Sequence, residues 1–145
     1  MKLRVLFVSM LIALGLNAGD YIIKDSKNSV DETVMKIEKI VKSKGMGVFG
    51  IVDHRANAKT VGQDMPEAKV IIFGNPKLGT RIMQRDIKAA LDLPIKVLVY
   101  ADYSGKTKIE YLDPKALEKR YSLESCVVLE KMTKALDAIT TKAGM

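Results

Sequence analysis

The stretch Ile71-Ile72-Phe73-Gly74-Asn75-Pro76-Lys77-Leu78-Gly79-Thr80 decides the fold class. Lys69 to Phe73 carries the unbroken Val-Ile-Ile-Phe run of a buried strand. Gly74-Asn75-Pro76 stops it in a polar turn, and Gly79-Thr80 then opens a helix containing Ile82, Met83, Ile87, Ala90 and Leu91. Upstream, Ile51-Val52-Asp53-His54-Arg55-Ala56-Asn57-Ala58 has the same form. Two strand–turn–helix junctions of this kind predict a site where they meet.

The chain around these junctions divides into alternating strands and helices. Asp20 to Asp25 reads as a first strand. Ser29 and Glu32 have the spacing of a capping box. The helix behind it carries Val30, Val34, Ile37 and Val41 on one face and ends at Gly45. Met46 to Asp53 is the second strand, and its glycines Gly47 and Gly50 predict a bulge or a close backbone approach. Arg55 to Gln63 is a short helical turn, and Asp92-Leu93-Pro94 ends the helix that Gly79-Thr80 starts. Ile95 to Tyr100 and Lys106 to Leu112 are separated only by the turn around Asp102-Tyr103-Ser104-Gly105, which predicts an antiparallel hairpin. Asp113 caps a short helix with Pro114 at its first position. A last helix, from about Ser122 to Lys142, has Leu123, Val127, Met132, Leu136 and Ile139 near a 3.6 period.

Apolar-faced helices near both ends need a surface to cover, and one sheet supplies it. The expected class is α+β: a two-layer sandwich with a mixed five-stranded sheet, a β-hairpin, and helices packed on the sheet.

The first eighteen of the 145 residues read differently. Lys2 and Arg4 precede an apolar run from Val5 to Leu16. That run falls short of the about 20 residues a spanning helix needs. Asn17-Ala18-Gly19 follows, so residues 1–18 are expected to be a signal peptide cleaved after about Ala18. The expected location is periplasmic or secreted, without stable membrane insertion after cleavage, and residues 19–145 form one domain. Loss of Lys2 and Arg4 lowers the formal charge of +7 by two. The remaining basic residues are spread along the chain, and with three Phe, five Tyr and no Trp they give no nucleic-acid footprint. Cys126 is the only cysteine, so no internal disulfide is available, and its apolar surroundings predict a buried, inert thiol.

Three groups of residues carry candidate chemistry. Gly74, Asn75, Gly79 and Thr80 place a helix N-terminus after a strand end, where backbone N–H groups attract anions; Lys77 and Arg81 are nearby. The bland reading is a tight turn in which Asn75 bonds its own backbone and Thr80 caps the helix. Asp53, His54 and Asn57 lie at the other junction. His54 is the sole histidine, and Asp92 or Asn75 could orient it for acid–base work. Its bland role is a loop hydrogen bond. No spacing supplies the carboxylates a metal would need beside it, and no G-x-S-x-G nucleophile elbow exists. Tyr100, Tyr103 and Tyr111, on or near the hairpin, line a pocket or an interface, or simply pack with the phenol at the rim.

Phe49-Gly50-Ile51-Val52-Asp53-His54-Arg55-Ala56-Asn57-Ala58, Gly62, Pro66, Ile72-Phe73-Gly74-Asn75-Pro76, Gly79-Thr80, Met83, Ala90-Leu91-Asp92-Leu93-Pro94 and Val97-Leu98-Val99, with Gly105, Asp113-Pro114 and Leu117 beyond, resemble the family called domain of unknown function 302. The match runs over about residues 49–121. The resemblance implies a compact domain with a mixed sheet, often a dimer, sometimes behind an export signal, and without an established activity or cofactor. The expected function is therefore a small-ligand site at the ends of strands two and three, with an anion among the candidate ligands. The alternatives are an enzyme that uses His54 as general acid or base with Asp92, and a structural homodimer without a ligand.

Overall fold

The computed structural model describes residues 19–145. The signal segment expected over residues 1–18 lies outside them. Five strands, β1 (Tyr21–Ser26), β2 (Gly47–Asp53), β3 (Ala68–Gly74), β4 (Ile95–Ala101) and β5 (Thr107–Leu112), form one sheet. Their spatial order is β1-β5-β4-β3-β2. Strands β2 to β5 run as a meander, and β1 adds to the far edge beside β5.

Every pairing is antiparallel, where a mixed sheet was expected. The cause is the short connection from β2 to β3. Helix α2 (His54–Thr60) is too brief to carry the chain back across the sheet, so β3 returns beside β2 in the opposite direction. The β4–β5 hairpin forms as its turn residues dictate. The Asp102 carboxylate accepts the N–H groups of Ser104 and Lys106, and Gly105 supplies the left-handed residue at φ +80.

Two long helices cover one face of the sheet. Helix α1 (Val30–Ser43) starts at the Ser29–Glu32 capping box, and Gly45 follows its end at φ +70. Val30, Val34, Ile37 and Val41 are all buried, as their spacing predicts. Helix α5 (Val127–Gly144) lies beside α1, with Leu136 and Ile139 in the same core. Ile71, Phe73, Val97, Val99, Ile109 and Tyr111 meet them from the sheet. Among the described residues, no helix lies on the sheet's other face. It presents Tyr21 and Ile23, 50% and 57% exposed, beside partly buried Leu98, Leu112 and Val70.

Two helices differ from their periodic pattern. The helix read from Gly79 to Leu91 is α3 (Pro76–Met83) followed by a separate 3₁₀ segment, Ile87–Leu91. Asp86 breaks the run: its carboxylate caps the second piece through the Lys88 N–H and also accepts the Ser122 N–H. Helix α5 starts at Val127 rather than Ser122, because Ser125 takes a left-handed φ of 56 just before it. Pro114–Ala116 forms a 3₁₀ turn capped by Asp113 and runs into the short α4 (Leu117–Arg120). Leu117, Leu123, Cys126 and Leu129 pack with Ile82 into a second apolar cluster at this end of the molecule. Cys126 is buried and free, immediately before α5.

Candidate functional site

An apolar groove of about 330 Å³ opens between α3 and α5, over the end of the sheet where β3 finishes and β4 begins. Gly74, Asn75, Gly79 and Thr80, all singled out by the sequence, lie in its wall. The floor is Phe73, and α5 contributes Lys131, Met132, Ala135, Leu136 and Ile139 along one stripe. Met46 and Met83 complete a trio of methionines with Met132. Unbranched thioether side chains of this kind fill irregular space and adapt to different occupants.

The bulge in β2 has a direct part in the groove. The β2–β3 register shifts between Val48 and Gly50, which leaves Phe49 as the extra residue of a bulge. A bulge re-aims a side chain. The Phe49 ring lies over Gly47 of β2 and Gly74 of β3, 3.8 Å from a Cβ built on Gly47 and 3.7 Å from one on Gly74. It stays 59% exposed at the mouth of the groove.

The start of α3 does not offer an anion site. Pro76 has no N–H. The Lys77 N–H donates to the Asn75 side chain at 3.0 Å, and the N–H groups of Leu78 and Gly79 donate to the Asn75 carbonyl at 3.0 and 2.9 Å. Asn75 is thus the N-cap, and the first donors of the helix are already used. The cap role expected of Thr80 falls to Asn75, five residues earlier, because the helix begins at Pro76.

Asp53, His54 and Asn57 lie elsewhere. Antiparallel pairing sets Gly47 opposite Gly74 but Asp53 opposite Lys69. The two junctions therefore stand at opposite ends of the sheet, roughly 17 Å apart at about 3.4 Å per residue. Asp92 precedes β4, which starts opposite Phe73, so it lies toward the Asn75 end of the sheet and away from His54. That separation removes the His54–Asp92 pair as an acid–base arrangement, since direct proton transfer needs about 2.6–3.2 Å. Asp92 instead accepts the Tyr121 hydroxyl at 2.8 Å and faces Arg120 at 3.4 Å, and that hydrogen bond, with desolvation, raises the Tyr121 pKa.

At the far end, Asp53 is the N-cap of α2. The Ala56 N–H donates to it at 2.8 Å, and Lys69 pairs with it at 3.1 Å; these two bonds lower its pKa. Lys69 also pairs with Asp31 of α1 at 2.7 Å, which ties that helix to the sheet. His54 and Asn57 are exposed on α2. Among the described residues no group of three or more His, Cys, Asp or Glu side chains is placed to hold a metal ion. Of the tyrosines, Tyr111 is buried, Tyr100 stands on the open sheet face, and Tyr103 is fully exposed at the hairpin tip. None of them lines the groove.

Sequence reasoning located one wall of the groove and missed the other. Met46, Lys131 and Ala135 join it only through tertiary packing. The one local signal for the missed set is the glycine pair around Phe49.

Residues 22–139 match the family described as Domain of unknown function DUF302. Curated relatives named fluoride-specific ion channel FluC 1, from Brucella suis biovar 1 and Brucella abortus biovar 1, are each 41% identical over 122 residues. These matches cover 83% of this chain but 48% and 45% of the relatives, so the chain spans about half of their length. Among the described residues no helix is long and apolar enough to cross a membrane. A crystal structure of an uncharacterized conserved DUF302 protein from Bacillus stearothermophilus superposes with a TM-score of 0.68 at 20% identity, covering 88% of this chain and 97% of that one. At that identity the likeness concerns the fold.

Proposed function

The chain belongs to the family Domain of unknown function DUF302, and since that description assigns no activity, we propose from the groove itself that this is an exported domain that binds a small apolar ligand between α3 and α5. The observation that carries this reading is Gly79. It lies inside helix α3 with an ordinary helical backbone, so no turn or positive φ requires it. Glycine there costs about 0.5–1 kcal/mol relative to alanine. A Cβ at this position would meet only the Met83 methyl, at 3.9 Å. What glycine preserves is open space in the groove wall. The volume fits the lower end of ligand pockets, about 300–1,000 Å³. Support for export is the basic start and apolar run before Gly19. The channel name of the Brucella relatives adds nothing to this reading, because the chain matches only about half of each.

Substitution at Gly79 separates folding from binding. Gly79→Ala is expected to raise stability by about 0.5–1 kcal/mol in urea denaturation. Gly79→Leu is expected to keep the fold and to weaken saturable binding of N-phenyl-1-naphthylamine, followed by fluorescence, by about tenfold or more. Equal dye affinity in wild type and a folded Gly79→Leu would remove the groove as the binding site.

The open sheet face supports a second reading, a homodimer. Tyr21 and Ile23 on the edge strand, with Leu112 and Leu98 beside them, leave an apolar patch that no helix among the described residues covers. On this reading, Ile23→Glu converts a dimer in light scattering to a folded monomer. A wild-type monomer at micromolar concentration would end it.

A further inference from the structure

We infer that the occupant of the groove is a free single-chain carboxylate amphiphile, its alkyl chain along the methionines and its head at Lys131; this rests on the apolar-ligand reading and names the ligand class. The polar inventory of the wall carries the inference. Among the described residues Lys131 is the only ionisable side chain lining the groove, and no acidic side chain lines it. Its other side-chain polar groups are the Asn75 amide and the Thr80 hydroxyl. The Asn75 oxygen already accepts the Lys77 N–H, which leaves its NH₂ group to donate. The groove thus presents donors to a ligand head and one positive charge, with everything else apolar.

Lys131 is also free to take that part. Its neighbours one helical turn away on α5 are Val127, Val128, Lys134 and Ala135, none of them acidic. Among the described residues it takes part in no ion pair. Lys24, which reaches the same helix, is by contrast held by Asp137 at 2.6 Å. An unpaired ammonium at the edge of an apolar groove favours an anionic head and disfavours a cationic one, while its own stem packs along the apolar wall.

Calorimetric titration of the full chain with decanoate, decanol and decyltrimethylammonium tests the assignment. The three probes share one alkyl chain and differ in head charge. Wild type is expected to bind decanoate about fivefold tighter than decanol, and decyltrimethylammonium more weakly than either. Lys131→Met is expected to make decanoate and decanol equal, and Lys131→Glu to reverse the order of the two charged probes. Equal binding of decanoate and decanol in wild type, unchanged by Lys131→Met, would overturn the head assignment and leave the apolar groove standing. No binding of any probe would overturn the groove reading itself. Sedimentation with phosphatidylglycerol vesicles that Lys131→Met abolishes, without decanoate binding, would place the head group in a membrane and overturn the free carboxylate.

Discussion

Phe73→Ala is expected to cost about 3–5 kcal/mol of stability, the largest effect of any substitution near the groove. Phe73 is 1% exposed on the interior strand β3, paired with Val48 of β2 on one side and Ile95 of β4 on the other. Its ring packs in the core that α1 and α5 close, and the same ring forms the groove floor. Truncation therefore loses the transfer energy of a whole aromatic side chain. It also leaves a void that the surroundings cannot fill, because the sheet is pinned by its ladders and α5 by contacts along its whole length. The new space would merge with the groove. Against a total stability of about 5–15 kcal/mol, such a loss moves the urea midpoint far down with little change in slope. A cost under about 1 kcal/mol would show that Phe73 does not bridge the core and the groove. Decanol is expected to recover part of the lost stability, since a ligand that binds only the folded state stabilises it by mass action.

The ease with which α1, the hairpin and the strand positions were legible has a common cause. Each depends on residues within one turn or one ladder rung. Ser29 and Glu32 bond each other, Asp102 bonds its own turn, and Thr107, Ile109 and Tyr111 alternate on one strand. What the sequence could not show depends on distant partners. Strands β2 and β3 read alike locally, yet the direction of one against the other decides whether Asp53 and Asn75 meet. The antiparallel ladder keeps them apart. The break at Asp86 has the same origin, because that carboxylate takes the Ser122 N–H from a segment far along the chain. The groove was half legible for this reason too. Its α3 wall follows Asn75 in one continuous run, whereas Lys131 and Met132 arrive from a helix whose placement only packing determines.

Gly144→Ala is expected to destabilise the domain by about 1–3 kcal/mol, against the helix propensity of the two residues. Gly144 ends α5 and is buried. A Cβ there would stand 2.9 Å from the Asp25 carbonyl oxygen and 3.6 Å from Ser26 Cα, both backbone atoms of β1. Neither can swing aside like a side chain. The helix must lift or the strand must bend, and either motion strains two bonds: the Lys27 N–H to the Gly144 carbonyl at 2.8 Å, and the Asn28 amide to the Ala143 carbonyl at 3.0 Å. In an unencumbered helix the same change would stabilise by about 0.5–1 kcal/mol, so the sign of the result reports whether the last turn rests on β1. Amide exchange locates the effect: Lys27 should lose protection first, while Val97 and Val99 in the sheet centre follow global stability. A stabilised Gly144→Ala would mean that the last turn of α5 stands clear of β1. In that case the edge strand would be held by its ladder to β5, the Ser26–Thr33 hydroxyl bond to α1 and the contacts of Lys24 with Asp137, Thr140 and Thr141, without the last turn of α5.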